Sequence, residues 1–362
     1  MKKEVIIVIL CIAALAMCSI PSLIGTGVIG RPSIPTVNGP EATQLVSATQ
    51  GHIIYDVPVG GISGISLPSL KTMTIREQDK GDEPVYALSG PDKNGFFVFL
   101  ERDVGVKHIL NLSSIQSNKH EVIFTRSVGS GSNYGEHLAL SPIGGHAAFV
   151  GYLSYTQMYE PKAYIGMGQL EIWDIFNKNK LDTKLFAIND SLAWFPVGKK
   201  LVYSKFIHRK EIPTQDSDDK ILLSFGKWIE VPAVFVYDMQ DRTESFLHVG
   251  WSPKVATDGK SIIIADFEMN YYWIDLNTMK SMPVVLPGGI GQIIAFTSPN
   301  TILYLGAPTA GVSPEWTKSN SPLVGPKAML SLKLLDLATG DFQTVTNSID
   351  PRRRISYGNI NN

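Results

Sequence analysis

A short pattern recurs six times along the chain. An apolar run ends in a polar residue followed by an aliphatic one, and a turn-forming segment then leads into another strand-like segment. The six pairs are Ser66-Leu67, Asn111-Leu112, Asp174-Ile175, Asp238-Met239, Asp275-Leu276 and Asp336-Leu337. Such repetition indicates one supersecondary unit used six times, whose copies must stack to bury their apolar faces.

The segments around these pairs are rich in Val, Ile, Phe and Tyr and show almost no helical periodicity. A first strand ending at a proline-containing turn also recurs, and the prolines Pro91, Pro142, Pro196, Pro253 and Pro299 follow one another at 51, 54, 57 and 46 residues. Four strands per unit at this period predict an all-β fold, a six-bladed β-propeller of four-stranded antiparallel blades.

Three segments resemble a known repeat. They are Ser252 to Lys260, with Ser-Pro followed by Asp-Gly-Lys, and the strand ends Ile172 to Ile175 and Ile274 to Leu276. They are similar to the TolB-like (WD40-like) propeller repeat family, and the resemblance extends over most of residues 43 to 348. It implies the propeller fold. It implies little about function, because that family includes assembly modules, regulatory propellers of peptidases and a few enzymes.

The N-terminus predicts export. Lys2 and Lys3 precede an apolar stretch that begins at Val5 and continues weakly to Ile24. Cleavage as a signal peptide after Ala16, retention as a membrane anchor, and lipidation at Cys18 are alternatives, and each places the body outside the cytoplasm. The resulting organisation is a signal or anchor at 1–25, a Pro/Gly-rich linker at 26–42, the propeller at 43–350, and a tail or closing strand at 351–362.

Composition excludes some classes of function. The formal net charge of −1 gives no basic excess for nucleic acid, and Arg352 to Arg354 is interpreted as solvated tail charge. Both cysteines, Cys11 and Cys18, lie in the N-terminal segment, so the body has neither a disulfide nor a thiol nucleophile.

The repeated aspartates have a structural interpretation. A short carboxylate at a strand end can accept hydrogen bonds from the backbone N–H groups of the following turn, and Asn111 or Ser66 could do so more weakly. Ring closure has two alternatives: Thr43 to Thr49 supplies the first strand of blade one, which is slightly favoured, or Arg354 to Ile360 returns to complete that blade.

Binding is expected on one rim. The connections between second and third strands lengthen at Tyr152 to Gly168, Phe206 to Pro232 and Gly306 to Lys327, and in a propeller they share a face with the links between blades. These insertions carry aromatic residues that could bind a sugar or a protein, or could instead pack onto the blades: Tyr152, Tyr155, Tyr159, Tyr164, Trp228 and Trp316.

The same face should receive polar residues near the start of each first strand: Glu136, His137, Asp190, Ser191 and His248. Histidine and carboxylate groups suit a divalent cation, but no tight ligand spacing is present, so hydrated polar lining is the simpler expectation and no metal or cofactor is assigned.

The chain contains no Gly-x-Ser-x-Gly elbow, His-Glu-x-x-His motif or P-loop. The sequence therefore favours a non-catalytic binding or scaffold module for an envelope protein or glycan. Two alternatives stay open. One is a cation-assisted enzyme on uronate-like sugars using His137, His248 and Glu136, and the other is a purely architectural envelope protein.

Overall fold

The computed structural model describes residues 43–57, 61–77, 85–103, 107–127, 137–157, 164–188, 192–213, 219–287, 291–307, 330–349 and 354–359. These residues form six antiparallel sheets, which confirms the predicted six-bladed propeller. The predicted signal or anchor and the linker lie outside the described residues. Within the described part of the chain, no helix is long and apolar enough to cross a membrane.

The strands of each blade are called A to D from the channel outward, and their bounds follow in that order. Blade one has β25 (Ile355–Gly358), β1 (Gly51–Asp56), β2 (Ile62–Leu67) and β3 (Lys71–Arg76). Blade two has β4 (Val85–Ser89), β5 (Phe96–Asp103), β6 (Lys107–Ser114) and β7 (Ser117–Ser127). Blade three has β8 (Leu138–Leu140), β9 (His146–Gln157), β10 (Tyr164–Asp174) and a divided outer strand, β11 (Asn179–Leu181) and β12 (Phe186–Ile188).

Blade four has β13 (Leu192–Trp194), β14 (Lys200–His208), β15 (Glu230–Asp238) and β16 (Thr243–Val249). Blade five has β17 (Trp251–Val255), β18 (Ser261–Ala265), β19 (Tyr271–Asp275) and β20 (Ser281–Val284). Blade six has β21 (Gly291–Phe296), β22 (Thr301–Gly306), β23 (Leu330–Asp336) and β24 (Phe342–Ile349). The helices are α1 (Thr43–Ala48) and α2 (Lys220–Ser224), with a 3₁₀ turn at Arg209–Glu211.

The A strands form the inner ring, in which β25, β4, β8, β13, β17 and β21 contact one another in turn, and β21 contacts β25 to close the ring. Apolar clusters fill all six spaces between neighbouring blades. Residues of the B and C strands supply most of these clusters, for example the fully buried Phe97 and Phe149. Burial on both faces of each sheet is the main source of stability, because the described body contains no disulfide.

The antiparallel order creates two different faces. The A–B and C–D turns lie on one, here called the A–B face, and the B–C connections and the links between blades lie on the other, here called the insertion face. All three long connections predicted from the sequence belong to the insertion face.

The repeated aspartates have the predicted turn role. Asp275 Oδ1 accepts the backbone N–H groups of Asn277 (2.9 Å) and Thr278 (2.8 Å), and Asp174, Asp238 and Asp336 make the same pair of bonds. The Thr278 N–H holds the pKa of Asp275 below its ordinary value. Asn111 is an exception, because it lies within β6, is fully buried and donates to Glu101 Oε2 at 2.7 Å.

Ring closure follows the less favoured alternative. Thr43–Ala48 is a helix, and Ile355–Gly358 pairs antiparallel with β1 as the A strand of blade one. The helix instead places Val46 in the apolar cluster between blades six and one. Because one blade combines strands from both ends of the body, β1 has no free edge towards the channel.

Candidate functional site

The described residues enclose a cavity in the central channel. Its cavity has a volume of about 480 Å³ and is lined by A strands and A–B turns from all six blades. The A strands run along the channel, so each blade presents a short row of side chains to the same space. Such a cavity, built from six separate segments, is of the size that holds a small ligand or the side chains of a partner segment.

The charged side chains that line the channel are basic. Arg354, Lys93 and Lys254 come from blades one, two and five, respectively, and His137 of blade three adds an imidazole. Among the described residues that line the cavity, none is Asp or Glu. Charges of one sign in a narrow cleft raise the local concentration of oppositely charged groups. The described lysine and arginine side chains therefore favour an anionic group in their neighbourhood.

Hydrogen bonds between blades hold the channel wall in place. Leu140 N donates to Ser89 Oγ at 2.8 Å, and Trp194 Nε1 donates to Ala139 O at 3.0 Å. Gly90 N donates to Ser356 Oγ at 3.1 Å, which joins blade two to the closing strand. These bonds fix neighbouring A strands to one another, so the positions of the channel side chains are set by the scaffold.

Arg354 corrects the interpretation of the C-terminal arginines as solvated charge. Its Nε donates to Tyr86 O at 2.9 Å and its backbone N donates to Asp56 Oδ1 at 2.5 Å. The side chain is half-buried and lines the channel, because β25 begins at the next residue and carries the chain into the inner ring. Arg352 and Arg353 lie outside the described residues.

The insertion of blade three is a long hairpin. The strands β9 and β10 continue pairing as far as Gln157 and Tyr164. Tyr152 and Tyr155 belong to β9, and the structure describes their backbone but not their side chains. The same holds for Tyr164 in β10, whereas Tyr159, Trp316, Glu136, Asp190 and Ser191 lie outside the described residues.

The insertion of blade four packs against the body, and Trp228 is not an exposed anchor. Ile221, Phe225 and Trp228 are buried in the apolar cluster between blades four and five. The indole of Trp228 meets the ring of Phe267 edge-on, with centroids 5.0 Å apart. An aromatic residue in a long loop can thus cover the scaffold instead of a ligand, as the alternative interpretation allowed.

The two histidines predicted for the channel are separated in the structure. His137 directly precedes β8 and lines the channel. His248 lies in β16, outside the channel lining, with Nε2 3.5 Å from Asp219 Oδ2. Asp219 also caps α2 by accepting the N–H of Ile221 at 2.8 Å, so His248 helps to hold the insertion of blade four. Among the described residues, no group of three or more His, Cys, Asp or Glu side chains could hold a metal ion.

Three channel residues, Lys93, Lys254 and Arg354, were missed by sequence reasoning. A usable signal existed for two of them. Lys93 follows Pro91 by two residues, and Lys254 follows Pro253 directly, so both lie at the ends of A strands or in the turns that follow. The polar candidates predicted from the sequence lie at the opposite ends of these strands.

Comparisons with known proteins support the fold. No family model and no curated protein sequence matches the chain. TolB from Acinetobacter baumannii is similar in structure, with a TM-score of 0.55 and 12% identity over 85% of this chain and 67% of that one. A protein assigned as TolB from Agrobacterium tumefaciens gives a TM-score of 0.50 and 11% identity over 86% of this chain and 99% of that one. An oligogalacturonate lyase solved with manganese gives a TM-score of 0.47 and 11% identity over 71% and 70% of the two chains. The chain has a TolB-like β-propeller fold.

Proposed function

We propose that this chain is an exported or membrane-anchored propeller that acts as a non-catalytic binding module, and that its channel takes an anionic segment of an envelope protein or glycan. The observation that carries the proposal is the charge of the channel lining. Lys93, His137, Lys254 and Arg354 surround one cavity whose described lining has no carboxylate. Placement outside the cytoplasm rests on the apolar N-terminal segment with its two preceding lysines.

Binding without catalysis suits this arrangement. A ligand that pairs with fixed lysine and arginine groups gains charge-assisted hydrogen bonds without any nucleophile or general base acting on it. Because hydrogen bonds between blades fix the backbone of the A strands, the channel wall loses little conformational entropy when the ligand binds. The tyrosines of the insertions, Tyr152, Tyr155 and Tyr159, together with Trp316, are proposed to add contacts around the insertion-face mouth of the channel.

The proposal is tested with two anionic probes of different class, a fluorescent oligoglutamate peptide and an unesterified oligogalacturonate. The full chain in non-ionic detergent is titrated with each probe, and Lys254→Met is compared with Lys199→Met. Lys199 is a matched control, because it is an exposed lysine on a neighbouring A–B turn that does not line the channel.

Loss of one charge-assisted contact should weaken binding about tenfold in Lys254→Met and leave Lys199→Met unchanged. Binding should also weaken as salt increases. Equal affinity in the two variants, or no binding of either probe, would refute the channel site. The probe that binds more tightly identifies the class of partner, and appearance of unsaturated sugar products together with a stoichiometric divalent ion would show an enzyme instead.

A further inference from the structure

The arginine, lysine and histidine residues that line the channel lie at different heights along its axis. All six A strands run in the same direction, from the insertion face to the A–B face. Each of β4, β8, β13, β17 and β21 is followed by an A–B turn, and β25 pairs antiparallel with β1. Hydrogen bonds between neighbouring A strands and turns fix the relative heights of these strands, and therefore of the residues that they carry.

Arg354 and His137 lie at the insertion-face end of the channel. Arg354 directly precedes β25, and its Nε donates to Tyr86 O at 2.9 Å, which places it about level with the second residue of β4. His137 directly precedes β8, and Leu140, three residues later, donates its N–H to Ser89 Oγ at 2.8 Å. Because Tyr86 is three residues before Ser89, His137 is about level with Tyr86 as well. The two residues therefore flank the start of blade two from its two neighbouring blades.

Lys93 lies at the opposite mouth of the channel. It belongs to the A–B turn of blade two, and its N–H donates to Pro142 O at 2.9 Å in the A–B turn of blade three. Pro142 follows His137 by five residues. At about 3.3 Å per residue of extended chain, the heights of His137 and Lys93 therefore differ by at most about 17 Å.

Lys254 lies between these two heights, on the other side of the channel. Blades two and five are three places apart in a ring of six, so Lys254 lines the wall opposite Lys93. Lys254 is two residues before Ala256, whose N–H closes the A–B turn of blade five as that of Ser141 does in blade three. His137 is four residues before Ser141, so the height of Lys254 is about midway between those of His137 and Lys93.

Basic side chains at several heights favour an elongated anion. A compact anion such as inorganic phosphate could contact the groups at one height only. An extended peptide repeats at about 3.3 Å per residue, so two acidic residues five positions apart are separated by about 17 Å. That separation matches the difference in height between His137 and Lys93. Uncharged residues between the two acids would lie beside uncharged residues of the channel wall, such as Leu140, Ala193 and Ile294.

The inner edges of the blades favour a peptide over a sugar chain. Each A strand is the end strand of its sheet, so no described strand pairs with it on the channel side. Some backbone groups on this side bond to the next blade, as Ala139 O accepts the indole N–H of Trp194 at 3.0 Å. A strand edge can pair with an extended peptide through main-chain hydrogen bonds, for which a sugar chain has no matching backbone.

We infer that the channel takes an extended acidic segment of a partner protein, which lies along the axis. One acidic side chain of the segment binds near Arg354 and His137, and a second one, five residues away, binds near Lys93. Lys254 contacts the segment between these two points. This arrangement rests on the proposed function, because it requires that the channel bind an anionic ligand, and it adds the class of that ligand and the spacing of its charges.

The experiment keeps the charge and length of the ligand constant and varies only the spacing of its charges. Four peptides of eight residues, with acetylated and amidated ends, carry two glutamates separated by zero, two, four or six serine and threonine residues. Each peptide carries an uncharged fluorophore and is titrated with the full chain in non-ionic detergent. Lys93→Met is compared with Lys199→Met, because Lys199 is an exposed lysine of the A–B turn of blade four that does not line the channel.

The peptide with four residues between its glutamates should bind about fivefold or more tightly than the peptide with adjacent glutamates. Lys93→Met should weaken its binding about tenfold and remove the preference for this spacing, whereas Lys199→Met should leave both unchanged.

Affinities within about twofold of one another at all four spacings, or tightest binding at any spacing other than four, would overturn the inference. If unesterified oligogalacturonate binds and no peptide does, the ligand is a glycan, so the inference is wrong although the proposed function stands. Failure of every peptide and of oligogalacturonate to bind would refute both.

Discussion

Glu171 offers a sharp test of how neighbouring blades are held together. Its side chain is fully buried in β10 of blade three, and Arg126 from β7 of blade two forms a fork with it, Nη1 to Oε1 at 2.7 Å and Nη2 to Oε2 at 3.0 Å. Trp173 Nε1 also donates to Oε2 at 3.1 Å, and Lys180 Nζ lies 3.5 Å from Oε1. Four polar contacts therefore converge on one carboxylate between two blades.

Glu171→Gln keeps the volume of the side chain but removes its charge and turns one acceptor into a donor. The amide must then direct an N–H at a guanidinium or an indole, and the partly buried Arg126 and Lys180 lose their compensating charge. Breaking one partner of a buried ion pair costs about 3–5 kcal/mol, and because glutamine retains one acceptor we expect about 3 kcal/mol. The assay is equilibrium urea unfolding, and the variant should show a lower midpoint with an unchanged slope.

Glu121 is a matched control between the same two blades. It pairs with Lys178 at 2.6 Å, but the two side chains are 61% and 44% exposed. Exposed pairs contribute little, so Glu121→Gln should cost less than about 0.5 kcal/mol. If both variants lose the same small amount, the buried carboxylate does not stabilise the contact between the blades, and the reasoning from its burial is wrong.

Three further predictions concern the turns, the response to pH and the closure of the ring. Met279→Gly should raise the unfolding free energy by about 0.5–1 kcal/mol, because it relieves a positive φ, and Gly340→Ala at the equivalent place should lower it by about 1 kcal/mol in the same urea assay. Burial lowers the pKa of His146, so the unfolded chain binds a proton more readily than the folded one. The contribution of this residue to stability should therefore be full above about pH 6.5 and decrease as the pH falls. His146→Asn should make the urea midpoint fall less between about pH 7 and 5.5. Gly358→Ala would place a Cβ 1.7 Å from Pro91 O and so force the closing strand away from blade two. This should lower the free energy of unfolding by about 1–3 kcal/mol. An unchanged melting temperature would contradict closure of the ring by this strand.

The scaffold could be predicted from the sequence, because every blade needs apolar strand residues for packing and a polar residue at the turn, and this pattern recurs six times. The Asp at the end of the C strand recurs since its carboxylate is the simplest acceptor for two N–H groups of the next turn, as in Asp174 and Asp336. Closure was harder to predict, because both Thr43 to Thr49 and Arg354 to Ile360 are short and partly apolar. What distinguishes them is tertiary: Val46 and Ile355 both join the cluster between blades six and one, the first from a helix and the second from a strand.

The candidate site could be predicted only in part. His137 was placed in the channel by its position before an A strand, and the structure puts it there. Lys254 carried a weaker signal, its place directly after Pro253 at the end of an A strand, and only the assembly of six blades shows that it faces a shared cavity. The prediction that Trp228 is an exposed binding residue was wrong. Its large apolar surface is buried against Phe267, because the insertion of blade four folds back onto the body.

Departures from the repeat are informative because the scaffold constrains some positions far more than others. The B and C strands pack on both faces, so residues such as Phe149 and Ile302 can change little without opening a cavity between blades. The channel side of the A strands and the tips of the turns carry no such constraint. Lysine in the channel and Met279 at a strained turn are therefore not required by packing, and the second opposes local stability. The proposed binding of an anionic ligand would account for the lysine in the channel, whereas the positive φ of Met279 is tested separately by the urea unfolding of Met279→Gly.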